Sequence, residues 1–376
     1  MVATKKVARR WQYAPLLFSI IAVWVIGGCT DSKPPKTEAA VLSDAKESIP
    51  PGSTVIRGAG ATFPSLLYKR WFSAYHSLHS GTYIEYALVG SGEGVRRFMG
   101  KNVADAEQVE FGASDAAMTD QQLMEVNNNA LMVPATAGCV VLAYNLPGFS
   151  GELKLSRRAY AGIFLGEITN WNDPRIAESN PGSGLPNLTI VTVVRQDSSG
   201  TTYAFTRHLD AISERWRAEF GPATLVNWPG NAMRAKGNEG VAGLIEKSAG
   251  SIGYVGNEFA RRIALSVATL ENKTGTYVKP SAESCSTALA TAEPPENLRV
   301  FVPDPRGAVS YPIVTYSWIL LHKSYNNAQD AAAIRQLFLW CLQDGQQYAP
   351  ELGYVPLPRS VVEKASAAVN SISPGG

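Results

Sequence analysis

The heptapeptide Gly58-Ala-Gly-Ala-Thr-Phe-Pro64 decides how this chain is read. A short β-like run, Ser53-Thr-Val-Ile-Arg57, precedes it. An amphipathic segment follows, with Leu67, Trp71, Ala74, Tyr75 and Leu78 spaced for one helical face. Glycines let the backbone turn tightly, and Pro64 suits a first helical position, where no N–H is needed. The stretch therefore reads as strand, glycine turn and helix N-terminus. Such an N-terminus presents unpaired N–H groups and the positive end of the helix dipole, which favours an anion. Phe63 stands where the third glycine of a dinucleotide fingerprint belongs, and no Gly-Lys-Ser/Thr follows, so neither nucleotide-binding loop is present. Taken alone, the turn is an ordinary one.

It is not alone. Thr82-Tyr-Ile-Glu-Tyr-Ala-Leu-Val89 alternates like a strand and runs into Gly90-Ser-Gly-Glu-Gly94 and a short helix. Val109-Glu-Phe-Gly-Ala-Ser-Asp115 repeats the pattern. A fourth instance is Leu188-Thr-Ile-Val-Thr-Val-Val194, an apolar run of the buried parallel type, ending in Arg195-Gln-Asp-Ser-Ser-Gly-Thr-Thr202. The strand ends thus deliver Thr62, Ser91, Asp115 and an Arg195/Asp197/Ser199/Thr201 group. In open α/β sheets, ligands sit at the carboxyl ends of strands. Two long apolar runs, 131–146 and 311–322, read as strands crossing between two regions. Residues 271–298 read as a loop-rich insertion. The expected fold is α/β and two-lobed, with two mixed-sheet domains, hinge crossovers and a cleft between them. Domain 1 is expected to be discontinuous (53–140 plus 315–370), and domain 2 to span 141–314.

At 376 residues, 45% hydrophobic and 18% charged, the chain is long enough for two cores. Its net charge of +2 argues against a nucleic-acid binder dominated by basic patches. Lys5, Lys6, Arg9 and Arg10 precede an apolar run over 14–26 that is short for a membrane span. That run ends in Ile26-Gly27-Gly28-Cys29, which resembles a bacterial lipobox. Residues 1–28 are expected to be a lipoprotein signal peptide, Cys29 the lipidated residue, and 29–52 a polar, proline-bearing tether. Removing residues 1–28, which hold four basic and no acidic side chains, takes the charge from +2 to −2, so any anion site must be local. Cys139, in an apolar run, reads as simply buried, and a Cys285–Cys341 bridge stays open.

No G-x-S-x-G elbow is present, and His76 and His79 share a helix without a carboxylate motif. His208 lies near the group around Ser199 but two turns into its helix. A hydrolase or a metal site therefore lacks its parts.

Four segments in order, GAGATFP (58–64), GSGEGV (90–95), FGASDAAM (111–118) and VVRQDSSGTTYAFTRHL (193–209), resemble the phosphate-binding receptors of bacterial phosphate ABC transporters, the PstS family. Supporting runs are Gly162-Ile-Phe-Leu-Gly-Glu-Ile-Thr-Asn-Trp171, Ser251-Ile-Gly-Tyr-Val255 and Tyr311-Pro312-Ile313. The resemblance covers about 53 to 368 and implies a two-domain periplasmic-binding-protein fold of type II that closes on one phosphate ion. It implies Thr62, Phe63, Ser91, Asp115, Arg195, Ser199, Gly200 and Thr201 as phosphate ligands, with Asp197 orienting Arg195. Asp115 would accept a hydrogen bond from a protonated phosphate oxygen. No catalysis, cofactor or metal is implied. The implied partners are inorganic phosphate, an inner-membrane ABC permease and, through the lipid, a membrane, the receptor acting as a monomer outside the cytoplasmic membrane. Arsenate and sulfate are the alternative ligands. The chain departs from the family pattern at Glu93, usually a small residue, whose side chain is expected to point outward, and in a longer 103–108 lead.

Overall fold

The computed structural model describes residues 49–127 and 129–374; the expected signal peptide, the expected lipidation site Cys29 and the expected tether up to residue 48 lie outside them. Three strands, β1 (Thr54–Gly60), β2 (Thr82–Leu88) and β3 (Phe111–Ser114), lie parallel in the order β2-β1-β3. β1 turns into helix α1 (Ser65–Leu78), which buries Leu67, Tyr68, Trp71, Phe72 and Tyr75. Leu78, expected on that face, is 66% exposed because the helix leaves the core in its last turn. β2 turns into α2 (Ser91–Met99). At Gly60, where φ is +146°, a Cβ would run into the Ala113 carbonyl, so glycine is what lets β1 and β3 turn off side by side.

β4 (Ala130–Asn145) is the long strand expected over 131–146, and it serves two partners. Residues 130–139 pair antiparallel with the strand Val314–His322, which also pairs with β3. From Val140 to Asn145 its antiparallel partner is Ser251–Gly256. That strand lies parallel to Val191–Arg195, which lies parallel to Met233–Ala235. The two expected mixed sheets are thereby joined into one hydrogen-bonded path. A 16-residue strand spans about 50 Å, enough to serve both. Its near-complete burial explains its unbroken apolar sequence.

The 271–298 region is more ordered than a loop. It holds part of Thr269–Glu271, the strand Tyr277–Val278 and the helix Ala282–Leu289, whose capping box joins Ser281 to Ser284. Asn272 ties it to the returning chain, its amide donating to the carbonyls of Gly307, Ala308 and Ser310. Cys285 in this helix is disulfide-bonded to Cys139 in β4, with Cα atoms 5.8 Å apart. Cys139 is thus not merely buried, and the candidate Cys285–Cys341 bridge is replaced: Cys341 is free and buried on the helix Ala328–Leu342. The pairing follows from which face of β4 the 282–289 helix covers, which spacing along the chain does not report. Among the described residues, no helix is long and apolar enough to cross a membrane.

Candidate functional site

The turns after β1, β2 and β3 meet the turns after the 191–195 and 233–235 strands. Hydrogen bonds cross between the two sets. Gly92 N–H donates to the Ser198 carbonyl at 3.1 Å. Gly200 N–H donates to Ser91 Oγ at 3.0 Å. The Asn238 amide donates to Thr62 Oγ1 at 3.0 Å. The sequence-derived residues Thr62, Phe63, Ser91, Asp115, Arg195, Ser199, Gly200 and Thr201 are all buried here.

The hydroxyls are committed as donors. A hydroxyl has two acceptor positions and one O–H. Thr62 Oγ1 accepts from both the backbone N–H and the side-chain amide of Asn238, at 3.1 and 3.0 Å. Ser91 Oγ accepts from Asp115 N–H and Gly200 N–H, at 3.2 and 3.0 Å. Each keeps only its O–H to give. Ser199 caps the helix Gly200–Ile212 by accepting from Thr202 N–H. Among the described residues, the backbone N–H groups of Thr62, Phe63, Ser91 and Thr201 meet no acceptor. Buried N–H groups are rarely left so.

One cation and one acid complete the site. Asp197 accepts from Arg195 Nε at 2.8 Å and from Nη2, a fork-to-fork pair that fixes the guanidinium plane. Asp197 also accepts from Gly237 N–H, at 3.1 Å. Burial works against its charge, but the Arg195 bonds hold its carboxyl below the usual range. Arg195 is 2% exposed and leaves Nη1 unbonded among the described residues. Asp115 is equally buried. Burial pushes its carboxyl up to about 7, against a bond from Ser317 and the charge of Arg195. Glu93 turns to Arg96 and Arg97, each at 2.7–2.8 Å, and away from the donors.

Sequence reading missed four supporting residues. Asn238 follows the strand Met233–Ala235, too short to show a pattern. Besides Thr62, it donates to Thr201 Oγ1 and accepts from Gly256 N–H. Tyr254 OH accepts from Arg195 N–H, and Tyr354 OH donates to the Phe63 carbonyl at 2.6 Å. Ser317 Oγ donates to Asp115 Oδ1 at 2.7 Å. None carries a local signal, because each reaches the site from a distant segment.

The fold and this donor-lined junction define a protein of the PBP superfamily, whose domain model matches residues 45–343. The chain belongs, within that superfamily, to the family of the phosphate-binding proteins PstS. It is 40% identical over 315 residues to the PstS of Pasteurella multocida, covering 83% of this chain and 89% of that one. It is 34% identical to the PstS of Xylella fastidiosa, covering 93% and 96%. Among solved structures, it resembles a high affinity periplasmic phosphate-binding protein, PfluDING, bound with phosphate at pH 8.5 (TM-score 0.70, 23% identity, 84% of this chain and 93% of that one). A phosphate-binding protein from Stenotrophomonas maltophilia has the same fold (TM-score 0.67, 22% identity, 84% and 94%).

Proposed function

We propose that this chain binds inorganic phosphate outside the cytoplasmic membrane and delivers it to an ABC-type permease. It would do so as a monomer tethered by lipid on Cys29. The observation that carries the reading is the set of buried donors: four N–H groups without an acceptor and two hydroxyls left with only their O–H, beside the oriented guanidinium of Arg195. A desolvated dianion needs its oxygens saturated with donors, or desolvation dominates. Backbone N–H groups at helix starts supply them without adding net charge. The relatives' common designation as phosphate-binding proteins supports the same ligand.

In this reading, Thr62, Phe63, Ser91, Ser199 and Thr201 bind phosphate oxygens, Gly200 joins them by turning its N–H from Ser91 Oγ to the ion, Arg195 supplies the positive charge and Asp197 aims it. Asp115 discriminates. Its carboxylate repels an oxyanion unless a proton lies between them. Phosphate near neutral pH brings that proton and sulfate does not, which costs sulfate several kcal/mol or so, as for other unpaired buried charges. Domain 1 (53–140 plus 315–370) and domain 2 (141–314) close on the ion about the crossing strands, the ligand favouring the closed state. No step of this cycle requires catalysis.

Calorimetric titration of the ligand-stripped protein with phosphate and then sulfate tests the reading. Phosphate binding at about micromolar or tighter, roughly −8 kcal/mol, with sulfate silent above neutral pH, is the expected result. A folded, stripped protein that ignores phosphate would sink it.

A further inference from the structure

β4 carries Pro134, which has no N–H to give to its partner strand. The pairing register shifts at this point. Ser317 lies opposite Thr136, but Trp318 lies opposite Pro134, so Ala135 is bulged out. On its other side, Trp318 is paired with Ser114. Continuing that antiparallel register by one residue sets Ser317 across from Asp115, and residues directly opposite present their side chains on one face. A bulge beside a binding site commonly re-aims a side chain. Here it accompanies a fully buried Ser317 whose Oγ donates to Asp115 Oδ1 at 2.7 Å.

We propose that Ser317 is a specificity-determining positioning residue: its hydroxyl occupies Oδ1 of Asp115, so that Oδ2 alone meets the bound oxyanion and the carboxyl stays an acceptor. This rests on the phosphate-receptor reading and deepens it. An ionised carboxylate only accepts, and a protonated one can donate. A protonated Asp115 would welcome sulfate. Discrimination therefore lasts only while Asp115 gives up its proton to the ligand or to water.

The surroundings of Asp115 leave Ser317 much of that task. Tyr68 from α1, Tyr86 from β2, Glu258 from the helix Asn257–Arg262 and Tyr354 from the C-terminal segment all feel the Asp115 charge unfavourably. Tyr68, buried in α1, also interacts with the Ser317 hydroxyl. On the favourable side stand Arg195 and the Ser317 hydroxyl, and of these the Ser317 bond has the larger effect. Arg195 is already spent in part on Asp197.

Two measurements across about pH 5 to about pH 9 test the proposal: the Asp115 carboxyl titration in ligand-free protein by carbon NMR, and sulfate affinity by calorimetry. In Ser317→Ala, the Asp115 midpoint and the pH below which sulfate binds should both rise by about one unit or more. Ser317→Thr restores the hydroxyl and should return both. If Ser317→Ala does not fold, Ser317→Cys keeps the size with a weaker donor and should shift both in the same direction. A folded hydroxyl-free variant with an unchanged Asp115 midpoint overturns the proposal. A wild type that binds no phosphate overturns the receptor reading instead, and the ligand-free titration still decides what Ser317 does.

Discussion

Gly200, at the start of its helix, lies directly against Asp115 from the opposite set of turns. A Cβ on Gly200 would stand 2.5 Å from the Asp115 Cβ and 2.6 Å from Ser91 Oγ. No real Cβ sits so close, and the Asp115 backbone, 2.7 Å from it, cannot swing aside. Gly200 is therefore fixed by close approach between the two sets of turns. Gly200→Ala should disfavour the closed arrangement of the two sets of turns and weaken phosphate binding at least about tenfold, near 1.4 kcal/mol. Unaltered affinity by calorimetry would mean that ligand binding does not need this contact.

Asn238 makes four hydrogen bonds to three partners: Thr201, Gly256 and, through both its side-chain amide and its backbone N–H, Thr62. Asn238→Ala strips the acceptor from Gly256 N–H and one of two donors from Thr62 Oγ1. Leaving buried groups unpaired costs about 1–3 kcal/mol. Chemical denaturation of the ligand-free protein should read a loss of that order, and phosphate affinity should fall with it. A variant as stable as wild type would show that water substitutes for the amide.

The pH profile of stability follows from three buried groups. Asp115 holds its proton to about 7 in the folded protein, against an ordinary 3.8. Burial also pushes Glu258 well above the usual range, and among the described residues neither of its oxygens has a partner. Between the ordinary carboxyl range and neutrality, the folded state thus binds more protons than the unfolded one, and stability falls as pH rises. His208 acts oppositely. Burial pushes it down to about 4 from 6.5, so its contribution is lost as pH falls through that window. Asp115→Asn should flatten the neutral-side decline, by on the order of a few kcal/mol. Melting curves of the ligand-free pair that run parallel would contradict this.

The Cys139–Cys285 bridge closes a loop across a sequence separation of 146 residues, so its loss should be felt. Cys139→Ser/Cys285→Ser should lower unfolding free energy by about 2–5 kcal/mol. Thiol labelling of unfolded, unreduced protein should modify Cys341 and spare Cys139 and Cys285 until a reductant is added. Labelling of Cys285 before reduction would break the assignment.

Much of this was legible in order along the chain. The strand, glycine turn and helix pattern at Gly58–Pro64, Gly90–Gly94 and Arg195–Thr202 is local, because tight turns and helix starts demand particular residues at particular steps. The length of the apolar run over 131–146 likewise announced a long strand crossing between the two regions. The two-residue strand at Tyr277–Val278 and the three-residue one at Met233–Ala235 were not legible, being too short to set up a period. Glu93 was legible in outcome, since Arg96 and Arg97 stand at i+3 and i+4 on the same helix.

The sequence by itself determined the α/β class, the strand-end turns and the residues that became the buried donors, because those depend on backbone geometry within a few residues. Only the tertiary structure decided what faces Asp115. The antiparallel pairing of the Val314–His322 strand with β3 brought Ser317 across from it, Gly200 reached it from the other set of turns, and the helix carrying Cys285 settled on β4 beside Cys139. These are pairings between segments more than eighty residues apart, set by which buried faces fit together, and no local pattern encodes them.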